Sequence, residues 1–82
     1  MKAVVNIYLK AGVLDSQGKT VHHALDSLGF QNIVSDVRIG RQIVLKLKTS
    51  SEKEARQETE KMCEELLANT VIEDYSIEII NE

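Results

Sequence analysis

From Ala3 to Lys10 apolar and polar residues alternate, with Val5, Ile7 and Leu9 on one side and Asn6, Tyr8 and Lys10 on the other. A period of two is the signature of a half-buried strand. Gly12 breaks it. Asp15 then stands as a helix N-cap, and Gly18, Val21, Leu25 and Leu28, with Ala24, recur at spacings of three and four, which predicts a helix. A glycine inside a first turn costs up to about 1 kcal/mol in helix propensity, so Gly18 implies close backbone packing. Gly29 supplies the left-handed residue that ends the helix.

The second half repeats the order without repeating the sequence. Ile33, Val37 and Ile39 share one parity, and Ile43, Leu45 and Leu47 share that of a second strand. Between them Ile39-Gly40-Arg41 holds the only tight-turn glycine, which predicts a hairpin. Ser51-Glu52-Lys53-Glu54 has the spacing of a capping box. A helix is expected from about Glu52 to Ala68, with Ala55, Thr59, Met62, Cys63, Leu66 and Leu67 as its apolar stripe. Asn69, in a left-handed conformation, would end it. In a last strand Tyr75, Ile77 and Ile79 alternate with Ser76, Glu78 and Ile80.

The expected fold is α+β: a ferredoxin-like split β-α-β-β-α-β, with a four-stranded antiparallel sheet and both helices on one face. The single domain spans residues 1–82. The other face would carry Val4, Asn6, Tyr8, Asp36, Arg38, Val44, Lys46, Ser76, Glu78 and Ile80. A solvated face places fewer apolar residues than Val4, Tyr8, Val44 and Ile80, so this surface is expected to meet a partner. A chain this short also buries only about 60–65% of its unfolded surface, which favours association.

Composition narrows the function. Ten basic and thirteen acidic residues leave a formal net charge of −3, the wrong sign for tracking phosphates, and no nucleic-acid partner is expected. Domains of this strand order that bind RNA stack bases on aromatic side chains, but only Tyr8 would point to the open face. One cysteine permits no internal disulfide and suits a reducing cytosol. No apolar run approaches the ~20 residues of a membrane span, so the expected location is cytoplasmic, away from any membrane.

Candidate chemistry is sparse. His22 and His23 are adjacent, diverge on a helix, and read as surface residues. Cys63 lies on an apolar stripe beside Glu60, Glu64 and Glu65, which is the wrong setting for a reactive thiol. The glutamates of the second helix alternate with Lys53, Arg56 and Lys61, as on a solvated face with local pairs such as Glu52–Arg56. Gly12 to Thr20 approaches a phosphate-binding loop but is one residue too long, and Asp15 repels the phosphate. No catalytic, cofactor-binding or metal-binding residue is assigned.

Two junctions carry a more specific pattern. Lys10, Gly12, Val13, Asp15 and Gly18, then Leu28-Gly29-Phe30, Val37-Arg38-Ile39-Gly40, and the stretch from Cys63 to Tyr75 resemble the PurS family along essentially the whole chain. Ser16 and Thr70 stand where the family has proline. PurS is the small subunit of bacterial formylglycinamide ribonucleotide amidotransferase (phosphoribosylformylglycinamidine synthase). The resemblance implies a non-catalytic subunit of a C–N ligase complex that uses glutamine as amide donor. It would form a homodimer or higher oligomer and bridge a large synthetase subunit and a glutaminase subunit so that ammonia passes between them. ATP and magnesium would belong to the synthetase subunit. The candidate interface or structural residues are Tyr8, Lys10, Gly12, Asp15, Gly18, Arg38, Gly40, Asn69, Glu73 and Asp74. The alternative is a small dimeric ligand-sensing regulatory module of the same fold.

Overall fold

A computed structural model describes residues 1–81. The elements are β1 (Lys2–Leu9), α1 (Ser16–Ser27), β2 (Gly40–Lys46), α2 (Glu52–Met62), a π turn (Cys63–Leu67) and β3 (Glu73–Ile80). The sheet has three strands in the order β2-β1-β3, and β1 runs antiparallel to both neighbours. The expected four-stranded sheet is thus corrected to three.

The missing strand is the expected hairpin arm before Gly40. Residues 36–39 form no strand, turn or bend and enter β2 directly at Gly40, which pairs with Tyr8. Gly40 does not use a positive φ. It is needed for space instead, because a Cβ there would sit 2.7 Å from the Ile7 carbonyl oxygen. The preceding segment lies beside α1: His22 Nε2 is 3.3 Å from the Val34 oxygen, and Ile39 N–H donates to Asp15 Oδ2 at 2.8 Å.

Helix α1 therefore does not share the sheet's face with α2, contrary to the expectation from the sequence. The sheet is covered by α2 alone, and α1 with residues 28–39 stands off as an arm. Its stripe is open, with Leu28 72% and Ile33 81% exposed. The radius of gyration is 16.1 Å, against about 12 Å for a compact chain of this length.

Local signals do act as read. Asp15 Oδ1 accepts Gly18 N–H at 2.8 Å, and Ser51 Oγ accepts Glu54 N–H at 3.2 Å, although Ser51 N–H donates to Thr49 Oγ1 rather than to Glu54, so half of the expected capping box forms. Gly29 has φ +99° and closes α1 with two backbone bonds, Gly29 N–H to Asp26 and Phe30 N–H to Leu25. Gly18 packs closely, as expected, but against the Val37 carbonyl and the Asp15 side chain rather than a sheet.

The core holds Val5, Ile7, Cys63 and Ala68, with Ile43, Leu45, Leu67, Tyr75 and Ile77 packed on it. The end of the second helix departs from expectation. Its last turn widens so that Ala68 N–H reaches the Cys63 oxygen, five residues back, at 3.0 Å. The extra residue swings Leu66 out to 82% exposure, while Leu67 stays against the core. Asn69 is not left-handed, since among the described residues only Gly12 and Gly29 have positive φ. It ends the helix by another route: its side-chain oxygen accepts Val71 N–H, and its carbonyl accepts Ile72 N–H and Glu73 N–H. Arg56 donates to the Ile77 carbonyl rather than pairing with Glu52.

Two substitutions test this packing. Gly18→Val overpacks α1 against Val37 and is expected to cost about 1–3 kcal/mol in urea unfolding. Thr59 is fully buried and its hydroxyl lacks a partner. Thr59→Val is therefore expected to gain about 1 kcal/mol, several degrees in Tm.

Candidate assembly site

The ten candidate residues gather at or beside one end of the sheet, where β1 stops and β2 and β3 begin. The register places Tyr8 between Gly40 and Asp74, and Leu9 opposite Glu73. Lys10 Nζ reaches Asp74 Oδ1 at 2.9 Å, and Lys10 N–H donates to the Ile72 carbonyl. Gly12 turns the chain with φ +89° and leads into Asp15. Asn69 N–H donates to Glu73 Oε1 at 2.7 Å.

Asp15 joins the two halves of the arm. Its two oxygens take Gly18 N–H and Ile39 N–H. Ile39 N–H, then Gly18 N–H, with Arg38 adding a lesser pull, hold its carboxyl below the ordinary value of 3.8. Arg38 was expected on the open sheet face beside a hairpin, but it lies outside the sheet. Its Nη2 donates to the Leu9 and Lys10 carbonyls at 2.7 and 3.2 Å, which tethers the arm to the end of β1.

One participant escaped the sequence reading. Arg41 shares the parity of Ile43 and Leu45, so it occupies a core-face position at the rim. Its guanidinium grips Glu73 at 2.6 and 3.2 Å and the Leu67 carbonyl at 2.7 Å. A charged residue at an inward parity needs a partner, and that signal was available in the alternation. The bidentate bond raises the Arg41 pKa. The same bond, followed by Asn69 N–H, lowers that of Glu73.

The open sheet face carries Val4, Asn6, Tyr8, Val44, Lys46, Ser76, Glu78 and Ile80, as the register requires; Asp36 lies outside the sheet. Tyr8 is 44% and Val44 51% exposed, whereas Val4 is nearly covered at 9%. Asn6 and Gln42 bridge the middle at 2.9 Å. On the arm, an open hollow of about 430 Å³ is lined by Ser16, Gln17, Thr20, Val21 and Ile39. Cys63 is buried, and burial, then Glu64 and Glu60, pushes its thiol pKa up. No cluster of His, Cys, Asp and Glu suited to a metal ion occurs among the described residues. No described helix is long and apolar enough to cross a membrane. The arrangement positions backbones and leaves apolar surface open.

Residues 2–81 match the PurS family model, described as phosphoribosylformylglycinamidine (FGAM) synthase. The chain belongs to the PurS family of FGAM synthase subunits. It is 44% identical over 78 residues to the PurS subunit of Methanocaldococcus jannaschii, covering 95% of this chain and 93% of that one. It is 47% identical over 78 residues to the Bacillus subtilis PurS subunit, covering 95% and 90%. The M. jannaschii PurS crystal structure superposes with a TM-score of 0.84 over 94% of this chain and 92% of that one. A chain in the PurLQS structure from Thermotoga maritima is 29% identical and superposes with a TM-score of 0.86, covering 96% and 95%. The purine-pathway family expected from Lys10–Gly18 and Cys63–Tyr75 is thus the family found.

The site also sets a pH response. Tyr75 O–H donates to Glu64 Oε2 at 2.8 Å. That bond, helped by burial and the Glu64 charge, raises the Tyr75 pKa from 10.0 to about 12. A raised folded value stabilises fully below the unfolded value, and the stabilisation fades as pH climbs from 10.0 toward about 12. Glu64→Gln is expected to bring the ionisation back toward 10.0, read from tyrosinate absorbance in a Tyr8→Phe background. For Arg41 and Glu73, a double-mutant cycle with Arg41→Met and Glu73→Gln is expected to give about 1 kcal/mol of coupling, since Arg41 is half exposed.

Proposed function

We propose that this chain is the non-catalytic assembly subunit of FGAM synthase, working as a homodimer or higher homo-oligomer. In purine biosynthesis it would bridge the synthetase and glutaminase subunits while formylglycinamide ribonucleotide, glutamine and ATP become FGAM, glutamate, ADP and phosphate. Ammonia passes between the two active sites, and ATP with its magnesium sits in the synthetase subunit. The observation that carries this reading is the arm. It holds up an apolar helix stripe and the segment after it, which no other described element covers, and exposed apolar surface of this kind marks an interaction site. The PurLQS structure of the T. maritima relative supports membership of a larger complex.

Self-association follows from the same geometry. Val21, Leu28, Phe30 and Ile33 are 39%, 72%, 45% and 81% exposed on the arm, and each apolar side chain buried is worth about 1.5–3 kcal/mol. A second copy presents the same unpaired stripe, and an isologous two-fold contact covers both at once. Light scattering at tens of micromolar is expected to give at least a dimer for the wild type. Leu28→Asp/Ile33→Asp is expected to shift the mass toward monomer, and a wild-type monomer would remove this part of the proposal.

The activity test is reconstitution. The cognate large and glutaminase subunits are expected to make FGAM from glutamine only when this chain is added, and the chain alone is expected to show neither glutaminase nor ATPase turnover. Equal rates with and without it would overturn the proposal. Calorimetry against amino acids and nucleotides separates it from the ligand-sensing module, which requires a micromolar site on the isolated chain.

A further inference from the structure

The sheet ends on two edges, and they are not alike. Leu47 N–H donates to the Met1 carbonyl at 2.9 Å, so the odd-numbered residues of β2 bond to β1. The amides and carbonyls of Gln42, Val44 and Lys46 therefore point away from the sheet. No hydrogen bond reaches them among the described residues. On β3, the bond from Lys10 N–H to the Ile72 carbonyl turns the odd-numbered residues outward in the same way. That edge is partly occupied, because Arg56 donates to the Ile77 carbonyl. Helix α2 packs over β3 and β1, while β2 keeps Val44 and Lys46 exposed and Ile43 and Leu45 half-buried.

Proteins blunt a free edge with proline, a bulge or charge. The middle of β2 has none of these. The chain has no proline, the register from Gly40 to Lys46 runs without a break, and Gln42 to Leu45 are uncharged. The free groups require another strand, and the sequence of β2 suits its own copy. About a two-fold axis at Val44, antiparallel strands set Val44 against Val44, Ile43 against Leu45 and Gln42 against Lys46. Gln42 uses its Nε2 on Asn6 Oδ1 at 2.9 Å, which leaves Oε1 to accept from Lys46 of the copy. Val4 stands beside Val44 on the open face and extends the row of valines across the seam. Other registers fit less well. An axis at Ile43 sets Leu45 against Arg41, and an axis at Leu45 sets Val44 against Lys46. Pairing β2 with the β3 edge of a copy is head-to-tail, and Arg56 already stands on that edge.

We propose that the β2 edge pairs with the β2 edge of a second copy, antiparallel about Val44, and joins two three-stranded sheets into one. This rests on the self-association proposed above and adds to it a contact separate from the arm.

Light scattering on the full chain, in the conditions used for the wild type, is the first measurement. Val44→Pro removes an outward N–H and spares the β1 ladder, the setting in which strands tolerate proline. It is expected to lower the mass by about half, whether or not the arm contact also forms, with circular dichroism unchanged. Val44→Thr keeps the amide and is expected to keep the wild-type mass. A nitroxide on Val44→Cys reads the seam directly, since residues paired there have Cα atoms about 5.5 Å apart and Cys63 is buried away from the label. Strong dipolar broadening is expected, and dilution with unlabelled wild type is expected to remove it. An unchanged mass in folded Val44→Pro, or an unbroadened spectrum, overturns the edge contact. Adding Leu28→Asp/Ile33→Asp to Val44→Pro separates the two contacts. A further fall in mass supports the arm contact, and no further fall removes it while the edge stands.

Discussion

Both oxygens of one carboxylate hold the two halves of the arm in place. Asp15 caps α1 through Gly18 N–H and at the same time receives Ile39 N–H, the last amide before β2. A short polar side chain is suited to an N-cap because it reaches the unsatisfied amides of the first turn. Here the second oxygen is used to fix a segment 24 residues further along. With Asp15 in place, residues 34–39 lie along α1 and the Val37 carbonyl sits where only glycine fits on the helix. Arg38 then ties the assembly to the end of β1. Without this bond, nothing in the small core dictates where α1 goes.

That arrangement explains which parts of the fold were legible in the sequence. Elements with a local cause were read correctly: the alternation of β1, the Asp15 and Ser51 caps, and the Gly29 terminator. Elements decided by distant contacts were not. The alternation of Ile33, Val37 and Ile39 is the same whether the segment pairs in a hairpin or runs beside a helix. Gly40 looks like a turn glycine in either case, and the reason for it, the Ile7 carbonyl facing it across the sheet, becomes visible only when β1 is in place. Leu66 and Leu67 are equivalent on an α-helical wheel, and one extra residue in a turn separates them. Asn69 was rightly read as a terminator, but it acts through its side-chain and main-chain oxygens rather than a left-handed backbone.

The candidate residues were legible as a group, and their roles less so. Gly12, Asp15, Gly18 and Gly40 matter for where the backbone goes. Lys10, Arg38, Glu73 and Asp74 satisfy carbonyls, amides and one another at the rim of the sheet. A motif rich in charge and glycine invites a catalytic reading, yet each polar group here is spent on the fold. Arg41, the strongest charged partner at the rim, was hidden by lying next to the apparent turn.

A fold organised in this way has a consequence for association. In a compact domain of this size α1 covers the sheet and strengthens the core. Here it stands away, and among the described residues the largest fully buried side chains are Ile7, Val5, Thr59 and Cys63. So thin a core leaves little stability to the isolated chain, and much of the apolar surface that would ordinarily build it stays exposed. Any chain that covers the arm would add to folding stability as well as to assembly. A complex subunit built like this has open surface that a neighbour can complete, so its fold and its assembly draw on the same apolar residues.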